Sequence, residues 1–148
     1  MKVRTASDID LDAIMRIEQD SFGPSAWERA TMQQELASEW GRYVVAIDEH
    51  DRVLGYAGLR AVGVEGDIQT IATAAEVRGR GAGRAMLEEL LAEAERRGVR
   101  ELFLDVRIDN DVARGLYESV GFREIGMRPG YYQPEGVDAV VMKREARP

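Results

Sequence analysis

The 148-residue chain reads as one α/β domain, residues 1–148, and three observations carry that reading. Segments with strand periodicity alternate with amphipathic helical ones along the whole length. The glycine-rich run Arg78-Gly79-Arg80-Gly81-Ala82-Gly83-Arg84 leads from a strand pattern straight into a helical one. Glu101 to Arg107 alternates without interruption, with Leu102, Leu104 and Val106 on one side and Phe103, Asp105 and Arg107 on the other. No repeat, linker or low-complexity tract breaks this order.

Residues 2–6 predict a short strand, and Ser7 then caps a helix carrying Leu11, Ile14, Met15 and Glu18 at helical spacing up to Phe22-Gly23-Pro24. Ser25 and Glu28 have capping-box spacing ahead of a second short helix with Trp27, Met32 and Leu36. Residues 43–47 and 53–64 predict antiparallel strands across the polar turn Asp48-Glu49-His50-Asp51-Arg52, with Gly55, Gly58 and Gly63 bending or bulging the second. Residues 67–73 form the strand that delivers the chain to the glycine run. A helix over 85–97 presents Met86, Leu87, Leu90, Leu91 and Ala94 on one face and stops at Gly98. Asn110 and Asp111 cap a short helix with Val112, Leu116 and Val120 inward, closed by Gly121. The last strands are 122–126 and 137–143, separated by a Pro- and Gly-bounded loop over 128–136.

Apolar residues make up 45% of the chain and charged residues 32%, the balance of a soluble globular protein. With no cysteine there is no thiolate nucleophile, disulfide or cysteine-based metal site, and the lone His50 sits in a polar turn. A histidine metal centre or a serine triad has almost nothing to build with, so no metal is expected. The net charge of −7 argues against nucleic acid as main ligand and suits a cationic substrate. No apolar run reaches the ~18 residues of a membrane span, and no signal-like hydrophobic stretch opens the chain. The expectation is a cytoplasmic protein that engages neither nucleic acid nor membrane.

The basic glycine run stands out against this acidic background. Gly81 and Gly83 let a ligand approach the backbone, and the following helix aims its unpaired N–H groups and positive dipole end into the loop. Phosphate oxygens fit such a socket, with Arg78, Arg80 and Arg84 adding charge. A nucleoside-triphosphate loop needs Lys and then Ser or Thr after its last glycine, where Arg84-Ala85 stands here. A dinucleotide fingerprint needs a glycine at the position of Arg84.

The order of elements and the motif Arg78-x-x-Gly81-x-Gly83 resemble the GNAT acyltransferase family and its pyrophosphate-binding signature for acetyl-CoA. Leu104-Asp105-Val106-Arg107-x-x-Asn110, then Leu116-Tyr117-Glu118-Ser119-x-Gly121-Phe122, resemble its RimI branch, as do 128–132 followed by Asp138-Ala139. That branch acetylates the N-terminal α-amine of a small-subunit ribosomal protein. The resemblance implies a mostly antiparallel sheet flanked by helices, with acetyl-CoA as cosubstrate and a ribosomal protein N-terminus as partner. A monomer or weak homodimer is expected.

The resemblance also implies a set of roles. Ile71, Ala72 and Thr73 would bond the acyl-pantetheine arm, and Gly79, Arg80, Gly81, Ala82, Gly83 and Arg84, after Arg78, would hold the pyrophosphate through backbone N–H groups. Asn110 would contact the cofactor, besides capping its helix. Tyr117 matches the general acid, and Asp105 stands where the family places a glutamate as base. Being one methylene shorter, Asp105 acts directly or through water, or else Glu65 or Asp67 on the neighbouring strand serves. Trp27, Tyr131 and Tyr132 fall at the substrate side; Arg107 either pairs with Asp105 or faces solvent.

Elementary chemistry fits an N-terminal acceptor. An α-amine with a pKa of about 7.7–8.0 costs roughly 1 kcal/mol to deprotonate at neutrality, against about 4.6 kcal/mol for a lysine side chain. Two other readings remain open from sequence: acetyl transfer to a small amine such as a polyamine or amino acid, and a non-catalytic acyl-CoA-binding module.

Overall fold

The computed structural model of the chain describes residues 1–146. Strands β1 (Lys2–Thr5), β2 (Gly41–Ile47), β3 (Val53–Val62), β4 (Glu65–Thr73), β5 (Glu101–Arg107), β6 (Arg123–Tyr132) and β7 (Val137–Glu145) form one sheet in the order β1-β2-β3-β4-β5-β7-β6. All neighbours are antiparallel except β4 and β5. Helices α1 (Leu11–Phe22) and α2 (Arg29–Ala37) lie on one face, α3 (Ala82–Arg96) and α4 (Asp111–Ser119) on the other.

Two cores result. Met86, Leu87 and Leu90 of α3 pack with Val44, Leu59, Leu102, Leu104 and Val106, while Ile14, Met15 and Ile17 of α1 and Met32 of α2 pack with Tyr43, Val45 and Tyr56. Because β2 is covered on both faces, Tyr43-Val44-Val45-Ala46-Ile47 is buried throughout, which explains its unbroken apolar run. On β5 the buried and half-buried residues alternate as the sequence predicts, with Asp105 on the α1/α2 face.

The parallel pair sets up the site. β4 pairs with β3 from Glu65 to Thr73 but with β5 only from Glu65 to Asp67. β5 meanwhile stays paired with β7 to Arg107, so β4 and β5 part beyond Asp67 and Phe103. A bulge sits at the parting. Gly58 pairs with Thr70 and Leu59 with Ile68, which makes Gln69 an extra residue on β4 and bends that strand.

The structure corrects several expectations. β3 does bulge, at Leu54 beside Gly55, because Ala46 pairs with Gly55 and Ile47 with Val53; a second bulge falls on β4, opposite Gly58, and Gly63 lies in the turn between β3 and β4. α2 begins at Arg29 with Glu28 as its cap, so Trp27 precedes the helix and Ser25 makes no capping box; its hydroxyl donates instead to the Gln133 carbonyl, 2.7 Å away. The capping carboxylate lies earlier, where Asp10 accepts the Ser7 N–H at 2.9 Å and a two-pronged ion pair from Arg4. Val112 is 87% exposed: it sits in the first turn of α4, ahead of the stripe Ala113, Leu116 and Val120 that meets the core. The loop expected over 128–136 is β strand as far as Tyr132, because β6 runs on along β7 after a bulge.

Gly58 lies opposite Tyr43, whose buried ring covers the space a Cβ would need. Gly58→Ala is expected to cost about 1–3 kcal/mol by overpacking, read from denaturant unfolding. Combined with Tyr43→Ala it should cost clearly less than the two changes summed; additivity would disprove the ring-on-glycine contact.

Candidate active site

Where β4 and β5 part, Thr70 to Thr73 stay paired with β3 while Gln69 bulges, and none of them pairs with β5, leaving an open strand edge. α3 follows β4 and α4 follows β5, so two helix N-termini flank the gap at the carboxyl ends of the parallel strands. In open sheets this is where ligands bind. Ile71 packs toward the α3 core and Ala72 toward the α1 core, which leaves the strand backbone as the recognition element.

The glycine loop closes one end of the gap. Gly79 and Gly81 have φ of +80° and +85°, a conformation that side chains resist, and Gly81 is the cap residue of α3. Two N–H groups are already committed, Arg78 to Ala75 O at 3.4 Å and Arg80 to Val77 O at 3.3 Å. The first α-helical bond is Ala85 N–H to Gly81 O, so the N–H groups of Ala82, Gly83 and Arg84 have no partner within the helix. The Arg80 N–H therefore turns away from the role expected for it. Gly83 and Arg84 lie inside the helix, and a Cβ on Gly83 would meet only Leu116 Cδ2, at 3.7 Å. Arg78 and Arg80 are exposed, while Arg84 reaches across to Ser119 Oγ at 2.9 Å, tying α3 to α4. Asn110 caps α4 by accepting the Ala113 N–H at 3.1 Å, and the nitrogen of its carboxamide remains a donor.

The gap's other wall carries the titratable groups. Tyr117 is 5% exposed and packs edge-on against Phe122 at 5.9 Å. Burial, then the nearby Tyr132, push its hydroxyl well above the usual tyrosine range, and no hydrogen bond contributes. The Tyr132 hydroxyl is raised to about 12 by burial and by Asp105 and Tyr131. Tyr132 thus lies within electrostatic reach of both Asp105 and Tyr117 and links the two expected catalytic groups. Asp67, opposite Phe103 at the last rung of the β4–β5 ladder, has its carboxyl raised by desolvation and then by the charges of Asp105 and Glu65. The structure thus places Glu65, Asp67 and Asp105 along one rim. Arg107 does not pair with Asp105: it binds Asp109 at 3.2 Å and Glu135 at 3.5 Å and stacks on Tyr132. Arg128 takes its place, 3.3 Å from Asp105 Oδ1, beneath the half-exposed Tyr131 ring.

Above this rim the segment 23–27 is held at two points. Ser25 bonds Gln133 in the loop between β6 and β7, and the Trp27 N–H donates to Glu18 Oε2 at 2.9 Å. Glu18, 2% exposed, also accepts the Tyr56 hydroxyl, which lies 3.4 Å from Thr70 Oγ1. Tyr43 donates to the bulged Gln69 at 3.0 Å. Sequence reasoning counted Glu18 as a helix-face residue and missed this network. Its signal was a carboxylate standing in phase with Leu11, Ile14 and Met15, on the face that is buried.

Residues 11–122 match the acetyltransferase (GNAT) family. An uncharacterized protein of Mycobacterium leprae is 41% identical over 150 residues, covering 98% of this chain but 41% of that protein, so the chain spans less than half of that relative's length. The N-alpha-acetyltransferase RimI of Mycobacterium tuberculosis is 41% identical over 128 residues, covering 84% of this chain and 78% of its own. The crystal structure of the ribosomal-protein-S18-alanine N-acetyltransferase from Escherichia coli superimposes with a TM-score of 0.88 at 32% identity, over 97% of this chain and 92% of that one. A parted parallel strand pair, a glycine-led helix and matches of this extent have one common explanation: the chain belongs to the acetyltransferase (GNAT) family.

Proposed function

We propose that this chain transfers the acetyl group of acetyl-CoA to the N-terminal α-amine of a protein in the cytoplasm, with an alanine-led ribosomal protein as acceptor. The observation that carries the reading is the gap between β4 and β5, bordered by donors without partners at the glycine loop and by Asp105, Tyr117 and Tyr132 at the other wall. The names of the relatives supply the acceptor.

The residues present fit acetyl-CoA. The N–H groups of Gly79, Gly81, Ala82, Gly83 and Arg84 offer donors to a pyrophosphate, the open edge at 69–73 can pair with the amides of pantetheine, and Asn110 offers its amide nitrogen. Acetyl-CoA supplies the activated acyl carbon. Transfer forms an N–C bond and breaks a C–S bond, so two protons need handling. Asp105, with Asp67 beside it, takes the proton lost by the amine, directly or through one water. Tyr117 gives its proton to the departing sulfur, a thiolate whose acid has a pKa of about 8.5. Burial raises the Tyr117 pKa, so the hydroxyl still carries its proton in the range where an α-amine loses its own, and it meets the departing sulfur as a donor. Arg128 and Tyr132 orient Asp105, and the segment 23–27 with Tyr131 borders the acceptor chain. Holding amine and acyl carbon together supplies more of the rate than the proton transfers.

The direct test is thiol release from acetyl-CoA with short peptides bearing a free N-terminal Ala, Ser, Gly or Met, run beside N-blocked lysine peptides and spermidine. Turnover confined to free α-amines is expected; turnover on spermidine alone would reassign the enzyme to small amines. Tyr117→Phe should lower kcat at least ~10²-fold, the usual worth of a positioned acid, and leave acetyl-CoA affinity unchanged. Equal loss of both would remove the acid role. Gly83→Ala meets no obstacle in the protein and favours helix by up to about 1 kcal/mol, so Tm should hold or rise. Acetyl-CoA affinity should fall at least ~10-fold, the worth of one charge-assisted hydrogen bond. Unchanged affinity would move the pyrophosphate away from this turn.

A further inference from the structure

Among the described residues, Glu18 is the one buried carboxylate that neither an arginine partner nor the proposed mechanism accounts for. Its contacts among the described residues are neutral donors, the Trp27 N–H at 2.9 Å through Oε2 and the Tyr56 hydroxyl through Oε1. Burying a carboxylate without a cation is costly, whereas an apolar side chain at this face of α1 would pack among Ile14, Met15 and Tyr56 without penalty. What the carboxylate supplies is two acceptor oxygens in a fixed direction.

These two oxygens join the two halves of the gap. Trp27 belongs to the segment that borders the acceptor side, already tied at Ser25 to the loop between β6 and β7. Tyr56 is paired with Ala72, within the strand offered to the acyl arm, and its hydroxyl lies beside Thr70, the residue after the bulge. We propose that Glu18 is a positioning residue that fixes the Trp27 segment relative to the open edge of β4, and so sets the affinity for the acceptor without touching the reacting atoms. The proposal rests on the N-terminal acetyltransferase reading. Geometry rather than charge is the operative property. A glutamine can accept the Trp27 N–H through its carbonyl and donate its amide to Tyr56 Oη, which then turns its own proton to Thr70 Oγ1. A leucine can do neither.

The test compares wild type, Glu18→Gln, Glu18→Leu and Tyr56→Phe in the intact chain. The readouts are KM for an Ala-led peptide, Kd for acetyl-CoA, Tm, and hydrogen exchange of the peptide fragment spanning Trp27. Glu18→Leu should raise acceptor KM by about tenfold and speed exchange around Trp27 by a similar factor, with acetyl-CoA Kd unchanged. Glu18→Gln should stay within about threefold of wild type on both. Tyr56→Phe removes one bond from the far end, stands in should Glu18→Leu fail to fold, and should shift the same two readouts by a smaller factor. Glu18→Gln failing as badly as Glu18→Leu would show that the charge matters and sink the positioning role. So would faster exchange with an unchanged acceptor KM, or equal losses for acceptor and acetyl-CoA. A wild type inactive on every free α-amine would instead fail the acetyltransferase reading, and the exchange data alone would then decide whether Glu18 holds the segment.

Discussion

The site depends on a single break in the sheet. Antiparallel strands on either side hold β4 and β5 firmly along their outer edges, so the two can separate from one another without loosening the fold. The extra residue at Gln69 supplies the bend, and the ladder to β5 has already stopped two residues earlier. Backbone donors and acceptors exposed in this way are costly unless something pairs with them. An extended ligand carrying amides repairs the sheet. The same break aims two helix N-termini at one region, because each parallel strand is followed by a helix. Sheet geometry therefore sets the course an extended ligand would take before any side chain is considered.

Side chains decide the rest. Three carboxylates border one end of the gap, and Asp67 is raised by its desolvation there and then by the charges of Asp105 and Glu65. The buried Tyr117 and the half-buried Tyr132 have their protons held more tightly by burial. Tyr132 lies within electrostatic reach of both Asp105 and Tyr117 and so connects the carboxylate rim with the tyrosine held in the α3-side core. Arg128 and Arg107 sit on Tyr131 and Tyr132 at 5.7 and 5.4 Å, which steadies the strand end carrying both aromatic rings.

Much of the fold was legible because its signals are local. The alternation in β5, the apolar stripe of α3 and the glycine stop after it each follow from a few neighbouring residues. The geometry of the glycine loop was legible for the same reason, since positive φ and helix N-termini leave glycines and caps in the sequence. The long-range ties around the rest of the candidate site were not. Ser25 spends its hydroxyl on Gln133, 108 positions away, so its capping-box spacing to Glu28 was coincidental. Val112 was placed inward by counting from the cap, one position out of phase with the true stripe. The extra residue on β4 is visible only as a mismatch between two strands, whereas the bulge of β3 at Leu54 has Gly55 beside it in the sequence. Arg128 reaches Asp105 through a register between β6, β7 and β5 that no window of sequence contains.

Charge gives the arrangement a direction. The chain is acidic, with a net charge of −7, yet the loop at the start of α3 carries Arg78 and Arg80 exposed beside free N–H groups and a positive helix end. The opposite end of the same gap carries Glu65, Asp67 and Asp105. Under the proposed reading a polyanionic tail and a protonated amine are drawn to different ends of this gap, and exchanging them places like charges together at both ends. Such fields act over about 8–10 Å at physiological salt, the Debye length that limits exposed charges. In the proposed reaction such attraction orients the two substrates, while Glu18 and Ser25 hold the segment that borders the acceptor. The shortened carboxylate at Asp105 is tolerable in that scheme, because an α-amine arrives with little left to lose and needs a nearby acceptor for one proton more than a strong base.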